Sequence, residues 1–329
     1  MTMDFLNSID FEHHNGVLLS MINDYLRNDF YDKMLASHVS GQPCLDIGFG
    51  TGLLTVLALK HGATSVVAYE SDSDRFVLGQ YIIDLLGLQQ KVHLINEEYN
   101  HTKGLHNATV VFTETLTGNL WGEGLWHSMP RDPGVCFLPS QLFLEFYARP
   151  VSEAFARGLI QEVKPDAPLT FAPGIDIDSR FVAAVNLFMA KKYQHPIKAK
   201  DSTKLEQGIV HFPRQQNTVW GWIPHIRMSA TGTCVARYTL DTQKVTINDN
   251  PIDFGQLKYR MHIDTSAWSQ SLILLTPRVG MQHGTNVMYL DTGHWGPAEN
   301  PVLLNCVNQN LTVTHNLKYG RITYNLEQQ

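Results

Sequence analysis

The spacing of apolar residues changes twice along the 329-residue chain. Near the N-terminus, apolar side chains recur every three or four positions, which places them on one side of a helix. They are Leu18, Met21, Ile22, Tyr25, Leu26 and Phe30. We therefore predict one or two amphipathic helices between residues 16 and 35.

Residues 43 to 150 follow a different pattern, in which short apolar runs alternate with helical stretches. The runs are PCLDIG, VVAYE, KVHLIN and ATVVFTE, and the helical stretches are LLTVLALKHG and DRFVLGQYIIDLLG. Alternation of strands and helices is typical of βαβ units, whose parallel sheet carries helices on both faces. The sequence therefore predicts an α/β fold for this part of the chain.

After about residue 137, strand-like runs lie between turn residues. They are QLFLEFYARPV, CVARYTLD, KVTIND, SLILLTPRV and NVMYLD. This pattern predicts a mostly antiparallel β-barrel-like domain. A helix is expected within FVAAVNLFMAKKY, inside a Pro-containing segment at 160–207 that breaks the strand pattern.

Charge, hydropathy and cysteine spacing disfavour several classes of partner. The formal net charge is -6 and no run of Lys and Arg appears, which argues against a nucleic-acid partner. No segment has 18 uninterrupted apolar residues and the N-terminus does not resemble a secretory leader, so we expect no membrane contact. The four cysteines form neither a CxxC pair nor a zinc-ligand spacing, which favours a reduced, cytoplasmic location and no metal; they are Cys44, Cys136, Cys234 and Cys306.

A glycine-rich turn follows the first predicted strand, in LDIGFGTG at residues 45–52. Such a turn lets backbone N–H groups and a helix N-terminus approach a ligand closely. The spacing of Gly48, Gly50 and Gly52 is GxGxG, whereas a dinucleotide fingerprint needs a glycine where Leu53 stands. Glu70 ends the next strand, where a carboxylate can accept hydrogen bonds from both hydroxyls of a ribose. These residues therefore favour an adenosyl ligand over a nicotinamide cofactor.

Two glutamates follow the fourth strand. Glu114 and Glu123 are nine residues apart in ETLTGNLWGE, and the glycines between and beside them allow the chain to fold back. A guanidinium is planar and always charged, and its parallel N–H pairs match carboxylates. Paired glutamates beside a cofactor strand therefore suit an arginine substrate.

The segment FTETLTGNLWGEGLW resembles the double-glutamate loop of protein arginine methyltransferases and is closest to the type III members. Three further segments agree: the helix MINDYLRNDFY, the motif LDIGFGTGLL with Glu70, and TGHWGP at 292–297, which is similar to the family's Thr-His-Trp loop with Gly293 inserted. The resemblance implies a seven-stranded-type Rossmann-like methyltransferase domain that binds S-adenosyl-L-methionine, followed by a β-barrel. The expected divisions are 1–40 for N-terminal helices, 41–138 for the cofactor domain, and 139–329 for the barrel with a dimerisation insert near 160–207.

The resemblance also implies residue roles. Arg27 would hold the cofactor carboxylate, Glu70 the ribose, and Glu114 and Glu123 the guanidinium. Asp24 and His294 would form a pair that braces the site. Asp46 and the glycines belong to the cofactor motif, Glu98 and Tyr99 are assigned to the cofactor from the run NEEYNHT, and Trp295 is assigned to the substrate. In that run the resemblance implies that Asn100 stands where the family has an acidic residue that contacts the adenine amine.

Several alternatives stay open. The expected substrate is an arginine-containing protein, and the alternative is free L-arginine or another small guanidino metabolite of a biosynthetic pathway, because the clamp contacts only the guanidinium. The expected product is monomethylarginine, with Trp121 and Trp126 as side chains that could crowd out a second methyl group. A non-catalytic protein that keeps the fold and a nicotinamide oxidoreductase are the rival interpretations. A homodimer is expected from the resemblance alone.

Overall fold

The computed structural model describes most of the N-terminal half and the barrel strands. The described residues are 25–116, 120–121, 123–131, 133–150, 176–181, 183–184, 204–206, 209–211, 233–265, 272–289, 302–305 and 309–328. Within them, no helix is long and apolar enough to cross a membrane.

A parallel sheet forms the core of the first half. Its strands are β1 (Pro43–Ile47), β2 (Ser65–Tyr69), β3 (Val92–Ile95), β4 (Val110–Thr113) and β5 (Cys136–Leu138), in the order β3-β2-β1-β4-β5. Helices of the described residues in this half include α1 (Tyr25–Ala36), α2 (Leu53–Lys60) and α3 (Ser73–Leu86). The predicted Rossmann-like sheet is confirmed. Its strand order reverses between β1 and β4, and ligands of such sheets bind in the crevice at that switch point.

Local sequence explains the ends of the helices. Asp72 precedes α3, and its Oδ1 accepts hydrogen bonds from the backbone N–H groups of Asp74 and Arg75 at 3.0 and 2.9 Å. A carboxylate at this position stabilises a helix start because it satisfies N–H groups that have no partner within the helix. Gly87 ends α3 with a φ of 69°, a left-handed conformation that glycine adopts without strain.

The second half is antiparallel, as predicted. Its large sheet has the order β11-β10-β9-β6-β13-β15-β8-β7, with β14 paired to β13. The strands are β6 (Gln141–Pro150), β7 (Lys204–Glu206), β8 (Ile209–His211), β9 (Thr233–Asp241), β10 (Thr246–Ile247), β11 (Asn250–Pro251), β13 (Leu272–His283), β14 (Asn286–Tyr289) and β15 (Val302–Asn305). A second sheet consists of β12 (Lys258–Ile263), β16 (Gln309–Asn316) and β17 (Arg321–Gln328), in the order β12-β16-β17.

One strand prediction was wrong. The run KVTIND was expected to be a single strand, but β10 covers only Thr246–Ile247. Asn248 and Asp249 then turn the chain with φ values of 49° and 61°, so that β11 pairs back onto β10. Asn and Asp tolerate the left-handed conformation that such a two-residue hairpin turn requires. The strands β12, β16 and β17 were not predicted, and most of the helix expected at 181–193 lies outside the described residues.

Helix α1 contacts both halves. The Tyr31 hydroxyl is fully buried and lies 3.0 Å from the carbonyl oxygen of Thr113, at the end of β4, to which it donates a hydrogen bond. The same hydroxyl lies 3.4 Å from the Met281 sulfur in β13. The change from parallel to antiparallel pairing falls between Leu138, which ends β5, and Gln141, which begins β6. The exact domain boundaries stay predictions.

Candidate active site

The glycine-rich turn lies at the carboxyl end of β1. Gly48, Gly50 and Gly52 have φ values of 86°, 58° and 80°, a region that side chains disfavour. A Cβ at position 48 would lie 2.8 Å from Thr115 Cγ2, so a side chain there would collide with the loop after β4. The turn therefore needs glycine for its conformation and for its close approach to the segment that carries Glu114.

Glu70 lies directly against this turn, immediately after β2. Its side chain is buried, and Oε2 accepts a hydrogen bond from the Gly50 backbone N–H at 2.7 Å. Oε1 accepts from the Asp72 backbone N–H at 2.9 Å and from Arg75 Nε at 3.2 Å. The structure thus brings the predicted ribose carboxylate and the glycine turn together. The contact with Arg75 was missed, although a basic residue in the first turn of a helix is an unusual choice that could have drawn attention to it.

Asp46 lies inside the sheet one residue before the end of β1. It is fully buried, and Oδ2 accepts a hydrogen bond from Thr55 Oγ1 at 2.6 Å. Oδ1 has no hydrogen-bond partner among the described residues. Burial raises the pKa of Asp46 to about 8; the Thr55 hydrogen bond opposes this rise, and the charges of Glu70 and Glu114 add to it. At neutral pH the carboxyl is therefore mostly protonated, and its second oxygen fits a polar group of a ligand.

Glu114 follows β4 at the switch point and is buried. It binds the guanidinium of Arg27 in α1 through two contacts, a 2.7 Å hydrogen bond from Nε to Oε1 and a shorter contact between Nη2 and Oε2. The sequence assigned Arg27 to the cofactor and Glu114 to a substrate guanidinium. In this structure the two side chains bind each other.

Glu123 has a different environment, because its side chain is exposed. It lies between Trp121 and the short helix α4 (Leu125–Ser128), which begins after Gly124. Trp121 and Trp126 are buried, with ring centroids 5.7 Å apart. These two tryptophans, the candidates for bulk around a substrate methyl group, pack in the protein core.

Trp121 is fixed by a chain of buried hydrogen bonds. Its Nε1 donates to the Tyr238 hydroxyl at 2.7 Å, and that hydroxyl lies 2.7 Å from Nδ1 of His315. Because the indole N–H can only donate, the Tyr238 oxygen accepts from Trp121, and the tautomer of His315 decides which of Tyr238 and Nδ1 donates in the second hydrogen bond. Sequence reasoning missed this chain, whose members are 117 and 77 positions apart.

The run after β3 divides into an exposed and a buried part. Glu98 is exposed, whereas Tyr99 is buried, with its ring centroid 5.1 Å from that of Tyr69 and its hydroxyl donating to the Gly104 carbonyl at 3.2 Å. The Asn100 side chain accepts from the Thr102 backbone N–H at 3.0 Å and so caps a short 3-10 helix. Asn100, for which the resemblance implies a position beside adenine, thus has a local structural role.

Asp24, His294 and Trp295 lie outside the described residues, so the predicted Asp24–His294 pair does too. Among the described residues, no three His, Cys, Asp or Glu side chains are grouped as a metal ion would require. What the structure gathers at the switch point is Arg27 and the carboxyl groups of Asp46, Glu70 and Glu114. This arrangement can hold a ligand that has hydroxyl groups on one side and a cation on the other.

Curated proteins with similar sequences include several protein arginine N-methyltransferases. The chain is 35% identical over 117 residues to protein arginine N-methyltransferase 7 of Anopheles gambiae, covering 32% of this chain and 17% of that protein. It is 32% identical over 120 residues to protein arginine N-methyltransferase 9 of Homo sapiens, covering 33% and 14%. It is 28% identical over 148 residues to probable protein arginine N-methyltransferase 6 of Arabidopsis thaliana, covering 42% and 33%. The chain thus matches a third or less of the length of these relatives, and no protein-family model matches it.

Solved structures resemble the whole chain. A crystal structure described as PRMT6-SAH has a TM-score of 0.52 and 15% identity, covering 95% of this chain and all of that one. The Trypanosoma brucei PRMT1 enzyme–prozyme heterotetrameric complex with AdoHcy has a TM-score of 0.51 and 15% identity, covering 96% and 94%. Together with the curated relatives, these structures confirm the predicted resemblance to the protein arginine methyltransferase family and its two-part fold. The resemblance to type III members is not confirmed.

Proposed function

We propose that this chain is an S-adenosyl-L-methionine-dependent methyltransferase that places a methyl group on a terminal nitrogen of an arginine guanidinium. The observation that carries the proposal is the contact between Glu114 and Arg27. A buried carboxylate at the switch point of the sheet binds a guanidinium through two separate contacts, beside the glycine turn and Glu70. Bidentate binding of this kind is the chemistry that an arginine substrate requires.

The residues at the turn fit the proposed cofactor. The glycine turn admits close backbone approach, Glu70 is placed to accept from a ribose, and Asp46 Oδ1 is a buried polar atom with no partner among the described residues. Bound S-adenosylmethionine would supply an electrophilic methyl group on its sulfonium. The solved structures of similar fold that contain SAH or AdoHcy agree with this choice.

The glutamates would then prepare the nucleophile. A guanidinium stays protonated up to about pH 12 and its lone pairs are delocalised, so it attacks poorly by itself. Glu114 and Glu123 would draw positive charge to one side of the group and leave the other terminal nitrogen free for direct displacement. The proton that leaves would pass to Glu123 or to the Asp24–His294 pair.

Arg27 must have two partners in this scheme. Here it donates to both oxygens of Glu114, so it competes with a substrate guanidinium for that carboxylate. The family resemblance assigns Arg27 to the cofactor carboxylate, which gives it a second anionic partner. We therefore expect arginine-containing peptides to bind more tightly in the presence of S-adenosylhomocysteine than in its absence. Isothermal titration of the same peptide with and without the cofactor product measures this difference.

We further propose that the substrate arginine lies in a protein and that the product is monomethylarginine. The curated relatives are named as protein arginine N-methyltransferases, which favours a protein over free arginine. The preference for one methyl group rests on the Gly-Glu-Gly sequence around Glu123, since the two tryptophans near the loop are buried in the core.

One experiment tests the activity, the substrate and the product together. The protein is incubated for a long period with excess S-adenosylmethionine and either free arginine or arginine-rich peptides. The methylarginines are then separated by chromatography and identified by mass spectrometry. We expect monomethylarginine on peptides. A dimethylarginine as the main product contradicts the product assignment. The absence of any methyl transfer contradicts the proposed function, as does tighter binding of NAD than of S-adenosylhomocysteine in a separate isothermal titration.

We propose a cytoplasmic protein that forms a homodimer, without nucleic-acid or membrane partners. The Trypanosoma brucei structure is a heterotetramer, which supports oligomer formation in proteins of this fold. Sedimentation equilibrium of the purified chain measures its assembly state, and a monomer at micromolar concentration would contradict the dimer.

A further inference from the structure

The hydrogen bonds of Glu70 are distributed unequally between its two oxygens. Oε1 accepts from two donors, the Asp72 backbone N–H at 2.9 Å and Arg75 Nε at 3.2 Å. Oε2 accepts from one, the Gly50 backbone N–H at 2.7 Å. The carboxylate is buried, so these protein donors take the place of solvent around it.

This distribution limits what else Glu70 can accept. A carboxylate has about four acceptor positions, two on each oxygen. The two donors fill Oε1, whereas Oε2 keeps one position. A ribose that binds Glu70 through two hydroxyls needs two positions. One of them becomes available on Oε1 only if Arg75 leaves.

Arg75 is held where it lies by a second carboxylate. Its Nη2 is 4.0 Å from Oδ2 of Asp72, while Oδ1 of Asp72 accepts the backbone N–H groups that start α3. The guanidinium therefore lies between Glu70 and Asp72, and about a quarter of the side chain is exposed (26%). Leaving Glu70 would break a charged hydrogen bond that is partly shielded from water, which favours retention of the contact.

We propose that Arg75 is a specificity-determining residue that restricts Glu70 to a single ribose hydroxyl. This inference rests on the proposed function, because it concerns the ribose of the adenosyl cofactor. Glu70 binds one hydroxyl through Oε2, and the other hydroxyl contributes little to affinity. Recognition of the ribose is therefore asymmetric in this chain.

The wild-type protein tests the asymmetry without any variant. Isothermal titration compares S-adenosylhomocysteine with its 2′-deoxy and 3′-deoxy analogues. Because a hydrogen bond to a charged group contributes about tenfold or more in affinity, we expect one analogue to bind at least about tenfold more weakly. The other analogue should stay within about threefold of the parent compound. About tenfold losses for both analogues would mean that Arg75 leaves Glu70, and would overturn the proposal.

The variant Arg75→Met removes the donor and keeps an unbranched side chain that suits a helix. The substitution opens an acceptor position on Oε1 of Glu70, so that both ribose hydroxyls can bind this carboxylate. We therefore expect the variant to bind both deoxy analogues about tenfold more weakly than S-adenosylhomocysteine, including the analogue that the wild type binds almost normally. Arg180→Met is the matched control, because Arg180 pairs with Asp178 at an exposed site and should keep the wild-type pattern. The proposal would be contradicted if, in Arg75→Met as in the wild type, only one of the two deoxy analogues bound more weakly than S-adenosylhomocysteine.

The outcomes separate this proposal from the function on which it rests. If S-adenosylhomocysteine fails to bind the wild-type protein, the proposed function is wrong. If it binds and both deoxy analogues lose equally, only the role of Arg75 is wrong. Circular dichroism shows whether Arg75→Met is folded, and the wild-type comparison decides the question if it is not.

Discussion

Glu114 and Glu123 are nine residues apart in sequence but lie in different surroundings. Glu114 is buried and bound to Arg27, whereas Glu123 is exposed. Removing one partner of a buried ion pair leaves an uncompensated charge and costs about 3–5 kcal/mol. The same chemical change at the two positions should therefore affect stability differently even if both residues serve the same reaction.

We expect Glu123→Gln to lower turnover about a hundredfold, through loss of transition-state stabilisation, while the melting temperature and the affinity for S-adenosylhomocysteine stay near wild type. Glu114→Gln should lower turnover similarly and should also lower the melting temperature, because Arg27 loses its buried partner. Methyl-transfer assays and thermal melts measure both effects. Glu97→Gln, at an exposed site paired with Lys103, is the control. Wild-type turnover in Glu123→Gln would show that Glu123 does not serve the reaction.

Asp46 makes the stability of the protein depend on pH. Its pKa is about 8 in the folded protein because it is buried, against about 3.9 in an unfolded chain. The folded state therefore binds the proton more tightly, and the resulting stabilisation is complete below about pH 4 and is lost as the pH rises towards 8.

We expect Asp46→Asn, which cannot ionise, to gain stability relative to wild type as the pH is raised from 5 to 8. The measurement is the difference in melting temperature between the two proteins across this range. Asp249→Asn, at an exposed turn, is the control for the loss of a surface carboxyl. A flat difference for Asp46→Asn would mean that Asp46 is ionised throughout.

At the scale of elements, α3 and the glycine turn are packed so closely that one helix position must be glycine. A Cβ at Gly79 would lie 2.7 Å from the Phe49 ring and 2.6 Å from a Leu94 methyl group. Phe49 belongs to the turn itself, and its ring also lies over Gly52. The turn, α3 and β3 therefore share one tightly filled contact.

We expect Gly79→Ala to destabilise the protein by about 1–3 kcal/mol through overpacking, although the same change in an open helix stabilises by up to about 1 kcal/mol. Urea unfolding measures the free energy. Phe49→Leu should recover part of the loss in the double variant, because the two sites are in direct contact. Gln80→Ala, on the exposed side of α3, should stay within about 0.5 kcal/mol. A stabilised Gly79→Ala would contradict the packing described here.

The sequence predicted those elements whose pattern is local. The parallel strands are nearly continuous apolar runs, and the glycine turn with Glu70 follows from strand ends that must meet at one edge of the sheet. The hairpin at Asn248 and Asp249 was missed because its two-residue turn lies inside a strand-like run. The Arg27–Glu114 contact joins residues 87 positions apart, and no local pattern in the sequence indicates which carboxylate an arginine contacts over such a distance.

At the scale of the whole molecule, a buried chain of hydrogen bonds joins the double-glutamate loop to both antiparallel sheets. Trp121 belongs to the loop, Tyr238 to β9 and His315 to β16. All three side chains are fully buried. The Tyr238 hydroxyl lies in the middle, so its removal takes a partner from both neighbours.

We expect Tyr238→Phe to lower the free energy of unfolding by about 2–4 kcal/mol, because the Trp121 N–H loses its acceptor and His315 Nδ1 loses its hydrogen-bond partner. Urea denaturation measures the change. Trp121→Phe in the Tyr238→Phe background should add less than it does alone, since the shared hydrogen bond is already gone. Tyr319→Phe, at an exposed position (65%), is the control. Simple addition of the two losses would argue against a connected chain.

The buried Tyr31 hydroxyl has a consequence for how the protein comes apart. It contacts the end of the parallel sheet at Thr113 and the antiparallel sheet at Met281, and Phe30 in the same helix packs against His283 with ring centroids 6.5 Å apart. Unfolding of either half alone would remove the packing partners from one side of α1. We therefore expect a single calorimetric peak rather than two, and fragments cut between residues 138 and 141 should be poorly soluble when expressed separately. Helix α1, which carries Arg27, thus joins the two halves into one cooperative folding unit.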